Sequence, residues 1–233
     1  GDVYKRQVVK NLLKMNPLLV SYNRFYNTPL GIRNLAKLRS AFNCDVLMQN
    51  VNPINVKKII RATLRNLGSF HWPVLAGQSV FPLHTGLRYR IPLIIWGAHQ
   101  GLEQVGMFSH IHEVEMTRRY RKEHDLMGLE ADDLISVFDT VKEEDIWQYR
   151  YPEDPEIAEI GLRGIYLGNY VRWDPLDQHR QMVKQYGYLP AKLNRTFDVY
   201  DNVDDWHFMD THDYIKYLKH GYGRALDVAC REI

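Results

Sequence analysis

The chain predicts an α/β fold, a doubly wound parallel sheet followed by a mostly helical C-terminal lobe, and three observations predict it. The run Ile91-Pro92-Leu93-Ile94-Ile95-Trp96 is apolar on both faces and stops at a glycine-bracketed polar turn, Gly97-Ala98-His99-Gln100-Gly101. A strand of that kind belongs inside a parallel sheet, and its exit loop opens at the carboxyl edge, where α/β proteins bind ligands. An ordinary buried strand with a tight turn accounts for the same residues. Next, Gly77-Gln78-Ser79-Val80-Phe81-Pro82-Leu83 leads through Thr85-Gly86-Leu87-Arg88-Tyr89 into this run, as a helix feeding a parallel strand does. Last, the order helix, strand, helix, strand, helix, strand upstream is that of a doubly wound sheet.

The elements follow in order. Gly1 to Gln7 has no initiator Met and no periodicity, and reads as foreign to the native fold. Val8 to Met15 reads as a helix tail, and Asn16-Pro17 turns into a strand over Leu18 to Tyr22. Thr28-Pro29 offers an N-cap with proline at the first helical position, opening a helix with Leu30, Leu35 and Leu38 on one face. A second strand runs from Asp45 to Gln49. Asn52-Pro53 opens the next helix in the same way, with Ile59, Ile60, Leu64 and Leu67 inward and Lys57, Lys58, Arg61 and Arg65 outward. Ala225 to Ile233 stops inside an apolar-periodic pattern with no Gly, Asn or Pro, so the chain reads as an internal fragment.

Composition bounds the function. With 233 residues, 45% hydrophobic and 12% aromatic, the chain can bury one core, or a core plus a lobe. Thirty Lys and Arg against 28 Asp and Glu give +2, too balanced for nucleic-acid binding by bulk charge, so any anion site is local. Two cysteines, Cys44 and Cys230, make no disulfide framework and suit a reducing compartment. No apolar run approaches the roughly 20 residues that span a bilayer, and no signal-like segment opens the chain. The expected location is cytoplasmic.

Strand ends then nominate a rim. Ser21-Tyr22-Asn23, Gln49-Asn50 and Gly97 to Gly101 surround one ligand if right-handed crossovers bring every strand's C-terminal end to one side. An adenine held against backbone and an aromatic such as Tyr22 or Trp96 fits, and the nucleotide-binding set is Tyr22, Asn23, Gln78, Trp96 and Gly97. Loop polars that only meet solvent read alike. This places a nucleotide-binding domain over 8–108 and a substrate or partner lobe over 109–233.

In the second segment, His110 and His112 fall on one side if extended, but no third and fourth ligand or outer shell accompanies them, so no metal centre is assigned. Asp201, Asp204, Asp205, His207, Asp210, His212 and Asp213 cluster in sequence. Asp210-Thr211 reads there as the N-cap of a helix with Tyr214, Ile215 and Leu218 inward. The segment from Gly164 reads as a strand, then a capped start at Asp174-Pro175 and a helix carrying Met182, Val183 and Tyr186 that ends at Gly187. A nucleotide sugar offers hydroxyls and phosphates but little apolar surface, so its site mixes aromatic platforms with amides and cations. Tyr166, Asn169, Trp173, His207 and Lys219 are that mixture, although aromatics also build small cores.

Taken in order, Asn16 to Val20, Gly77-Gln78 with Phe81-Pro82-Leu83, Ile91 to Gly97, Tyr166-Leu167 with Trp173-Asp174, Lys184-Gln185-Tyr186-Gly187-Tyr188 and Tyr217 to Ala225 resemble the N-acetyl sugar amidotransferases of bacterial lipopolysaccharide and O-antigen synthesis. That family belongs to the PP-loop ATP pyrophosphatases, and the resemblance runs over nearly all of the chain after Gln7. It implies an adenine nucleotide alpha-hydrolase-like sheet, incomplete at its N-terminal side. It further implies ATP and Mg2+ as cofactors, a nucleotide-linked sugar as substrate, and a partner glutaminase supplying ammonia, with neither nucleic acid nor membrane as partner. The implied reaction adenylates the acetamido oxygen and lets ammonia displace AMP, leaving an acetamidino group. Departures are specific. The family's S-G-G-x-D-S phosphate loop is not found and would lie just before Val8, and the N-terminal cysteine motifs are missing. The loop that carries an acid in the family, as W-G-E-N, reads Trp96-Gly97-Ala98-His99-Gln100, which leaves His99 and Glu103 as catalytic candidates. A non-catalytic scaffold that binds nucleotide sugar or glutaminase, and a PP-loop enzyme acting on tRNA, are the alternatives.

Overall fold

The computed structural model describes residues 2–23, 28–97, 115–191, 208–223, 225–226 and 229–230. The chain is mixed α/β. Helix α1 (Asp2–Gln7) runs into a π-helical turn (Val8–Leu12), and strand β1 (Leu19–Tyr22) follows. Helix α2 (Pro29–Phe42) connects to β2 (Val46–Gln49), then come α3 (Pro53–Leu67), α4 (Trp72–Tyr89) and β3 (Leu93–Trp96). Four short helices lead onward: α5 (Arg118–Tyr120), continued by a π-helical turn to Asp125, α6 (Ala131–Val137), α7 (Glu143–Ile146) and α8 (Asp154–Ile160). Strand β4 (Arg163–Tyr166), α9 (Pro175–Tyr186) and α10 (Met209–His220) complete the order.

The helix boundaries are where local chemistry puts them. Thr28 accepts a hydrogen bond from the Gly31 amide at 3.0 Å, Asn52 from Ile54 at 2.9 Å and Asp174 from Asp177 at 3.0 Å. Each cap precedes a proline whose fixed φ suits the first helical position and whose missing N–H costs nothing there. Gly68 and Gly187, at φ +60 each, end α3 and α9 in the left-handed conformation that glycine adopts without strain. Helix α4 carries Pro82 in its interior, so the Gln78 carbonyl lacks its intrahelical donor.

The strands form two parallel ladders. Leu19 to Tyr22 pair with Val46 to Gln49, and Leu93 to Trp96 pair with Arg163 to Tyr166. Among the described residues these remain separate two-stranded sheets, not one doubly wound sheet. The β3 residues are half-buried where the apolar run predicts burial on both faces, and β4 meets Glu115 in an antiparallel bridge at Ile165. Although β4 falls in the segment assigned to the second lobe, it is the partner of β3, so 8–108 and 109–233 share a sheet.

Two clusters make the core. The larger gathers Tyr22, Ile59, Trp72, Ala76, Leu134, Phe138, Ile146 and Tyr149 from β1, α3, α4 and the short helices. A smaller one joins Val3, Phe42 and Met182 from α1, α2 and α9. Within the opening heptapeptide Val3 packs inside the fold at 7% exposed, contrary to the expectation for Gly1 to Gln7, and Val8 and Val9 beyond it are 4% exposed. Their short apolar spacing was too brief to register as a periodic pattern. Three further expectations are corrected. Leu64 lies outward on α3. Helix α10 begins at Met209 with no side-chain cap, so Asp210 sits in its first turn instead of capping it. Tyr214 and Leu218 are exposed, because α10 docks through Phe208, His212 and Lys219 against the turn joining α3 to α4.

At Gly77, an added Cβ would lie 2.3 Å from the Tyr22 ring. Gly77→Ala is therefore expected to lower stability by about 1–3 kcal/mol in urea unfolding, the range for overpacking. Gly223→Ala, with nothing within 4 Å of the new atom, is expected to stay within about 0.5 kcal/mol of the parent.

Candidate functional site

Helix α4 fixes the direction of both ladders. The Tyr22 ring, at the end of β1, lies on Gly77, whereas Leu162, just before β4, lies on Gly86 with an added Cβ only 2.8 Å away. The two glycines are nine helical steps apart, about 13 Å along the axis. At the far end of β4, Tyr166 neighbours Arg121, whose Nη2 donates to the Leu75 carbonyl at 3.1 Å. Both ladders thus end beside the N-terminal half of α4, and their carboxyl ends share one rim.

On the β1–β2 side of this rim, Asn23 Nδ2 donates to Asn50 Oδ1 at 2.6 Å and the Asn23 amide to the Gln49 carbonyl at 2.9 Å. Tyr22 itself is turned into the core, 5% exposed, with its hydroxyl 2.7 Å from that of Tyr149. Its ring supports the rim from below. Gln78 adjoins Gly77 on α4 and is half-buried.

On the β3–β4 side, Trp96 stands opposite Tyr166 in the register, and the Gly168 amide donates to the Gly97 carbonyl at 3.2 Å, carrying the pairing past the strands. Trp173 lies 3.5 Å from where a Gly97 side chain would start, and its ring meets Tyr4 edge-on at 5.7 Å between centroids. Asn169 closes the 3-10 turn that leads from Tyr166 toward Trp173. Gly164 permits Trp96 to lie flat on β4, since a Cβ there would sit 3.1 Å from the indole nitrogen.

Trp96, Gly97, Tyr166, Asn169 and Trp173 are thus brought together, and Tyr22, Asn23 and Gln78 adjoin the same end of α4. Lys219 lies elsewhere, its Nζ donating to the Leu67 carbonyl at 2.9 Å and its methylenes packed on Gly68. His99, Glu103, His110, His112 and His207 fall outside the described residues. Among the described residues no three His, Cys, Asp or Glu side chains are arranged to hold a metal ion.

Sequence reasoning missed the support beneath Tyr166. Arg121 is 3% exposed, with Nε 3.2 Å from Asp125 and Tyr120, Tyr151 and Tyr166 around it. Burial works against its charge and Asp125 sustains it. The stretch Arg118 to Asp125 reads as a solvated charged helix, and only the i, i+4 spacing of Arg121 and Asp125 hints at the pair. Burial, with Asp125 adding to it, pushes the Tyr166 hydroxyl up to about 12.

Two buried side-chain atoms on strand-end residues have no hydrogen-bond partner among the described residues: Gln49 Oε1, on the last residue of β2, and Trp96 Nε1, on the last residue of β3, which lies back over Gly164. One is an acceptor and the other a donor. Orphaned groups of this kind are uncommon in native proteins. No protein-family model and no curated protein sequence matches this chain.

The buried tyrosines give the rim a measurable signature. An unfolded tyrosine ionises near about 10, and Tyr166 in the fold near about 12. Its contribution to stability is complete below the unfolded value and is lost as pH rises through the folded one. Urea unfolding at pH 8 and pH 11 is expected to show this alkaline loss, and Tyr166→Phe to reduce it, with Tyr120, also raised by burial, supplying part of the remainder.

Proposed function

We propose that this chain is part of an ATP-dependent amidotransferase that converts the acetamido group of a nucleotide-linked sugar to an acetamidino group, with ammonia from a glutaminase partner. The two parallel ladders are read as portions of one doubly wound sheet. The observation that carries this reading is the meeting of α1 with the rim: Tyr4, in the segment just before Val8, touches Trp173, which touches Gly97, so that segment lies beside the end of β3. That is the place where the motif order puts the phosphate-binding loop of the resembled family. Gln49 Oε1, buried and without a partner among the described residues, supports an adenine amino group on the same rim.

In this reading ATP, with Mg2+, supplies adenylation of the acetamido oxygen, which turns a poor electrophile into one that ammonia attacks. Trp96, Gly97, Asn23 and the Gln78 carbonyl hold the base and ribose. Tyr166 and Asn169 position the sugar, and Trp173 offers an apolar face to it. Closing water out of this region is required, since water would hydrolyse the activated amide. His99 and Glu103, directly after β3, are placed by sequence to handle the ammonia proton. A reducing cytoplasm suits the two free cysteines, and among the described residues no helix is long and apolar enough to cross a membrane.

The test supplies the protein, extended upstream through a phosphate-binding loop, with ATP, ammonium and a nucleotide-linked N-acetyl sugar labelled with 18O in the acetamido group. Sugar-dependent AMP carrying the label is expected, with residues 8–233 alone inactive. Trp96→Ala should raise the KM for ATP about tenfold, a loss of about 1.4 kcal/mol of binding, with a smaller change in kcat. Release of ADP, or AMP without label, contradicts the reading.

A further inference from the structure

Helix α3 has four basic side chains and no acidic one. Lys58 is committed, with Nζ 2.5 Å from the buried carboxylate of Asp145 on α7. Lys57, Arg61 and Arg65 are exposed and have no ion-pair partner among the described residues. Their spacing of four places them in one row, about 6 Å apart. Ile54, 73% exposed, and Leu64, 40% exposed, lie on the same arc.

The contrast with the segment from Glu115 to Arg163 is sharp. There Arg118 pairs with Glu130, Arg119 with Glu123, Arg121 with Asp125, Lys122 with Asp133, Arg150 with Asp132 and Glu143, and Arg163 with Glu115. A solvated helix face ordinarily mixes signs in this way. Successive like charges four residues apart are destabilising, and α3 keeps two such steps without an intervening acid.

We infer that the outer face of α3 docks an acidic, partly apolar segment of a partner protein, with carboxylates over Lys57, Arg61 and Arg65 and apolar side chains on Ile54 and Leu64. The inference is independent of the amidotransferase reading. A nucleic acid fits this face less well, because α3 exposes no aromatic platform for bases. An anionic bilayer fits less well too, since Val56, Ile59 and Ala62 turn the apolar side of α3 into the core, leaving only Ile54 and Leu64 to insert.

The probe is a fluorescein-labelled 20-residue helical peptide of Glu and Leu with its carboxylates spaced every four residues, titrated with the full chain and read by anisotropy. Binding is expected at 50 mM NaCl and should weaken at least tenfold at 300 mM. The triple reversal K57E/R61E/R65E, shown folded by circular dichroism, should also weaken it at least tenfold, and I54S/L64S about threefold. K57R/R61K/R65K, which keeps the charges, should bind like the parent. Absence of binding, or a triple reversal within twofold of the parent, overturns the inference. So does tighter binding through these residues of a 20-nucleotide single-stranded RNA or of phosphatidylcholine vesicles with 30% phosphatidylglycerol. Peptide binding only after Asp198, Asp201, Asp204 and Asp205 are changed to Asn would also overturn it, by giving the face to the chain's own acidic run.

Discussion

The seating of Tyr22 on Gly77 is the contact on which the rest depends. With no side chain at Gly77, α4 lies directly against the end of β1, and the Tyr22 hydroxyl reaches Tyr149 at 2.7 Å. One residue thereby ties the first ladder, the long helix and the short helices beyond residue 130 into a single core, where Trp72 meets Tyr149 edge-on at 5.6 Å. Because α4 also abuts the start of β4 through Gly86, its orientation sets where both ladders end. The rim is a consequence of that geometry.

The same rim explains why polar groups that look alike in sequence differ in role. Asn23 and Asn50 satisfy each other, and Tyr22 is spent on the core, so neither is a free platform. Gln49 and Trp96 carry buried atoms without partners among the described residues, and desolvating such atoms is costly unless something completes them.

Much of the fold is legible in the sequence because it is local. Thr28-Pro29, Asn52-Pro53 and Asp174-Pro175 state where helices begin, Gly68 and Gly187 where they end, and Leu93 to Trp96 is apolar enough to be a strand without knowledge of its partner. What is not legible is decided at a distance. Tyr22 is buried by a residue 127 positions away, Arg121 is buried by tyrosines from three segments, and β3 takes as its partner a strand some 70 residues later instead of joining β1. Helix α10 follows its docking surface at Phe70 and His71, not the capping signal at Asp210. For the site, strand ends nominate a rim from sequence, but they do not tell which of its residues faces outward, since that depends on which side of the ladder α4 covers.

Photolabelling with 8-azido-ATP, followed by peptide mapping, tests most directly the claim that the ends of the two ladders form one nucleotide rim. The account predicts saturable labelling in the peptides containing Tyr22-Asn23, Gln49-Asn50 or Trp96-Gly97, protected by ATP. Saturable labelling confined to surfaces away from these strand ends, such as α8 or α10, would contradict it.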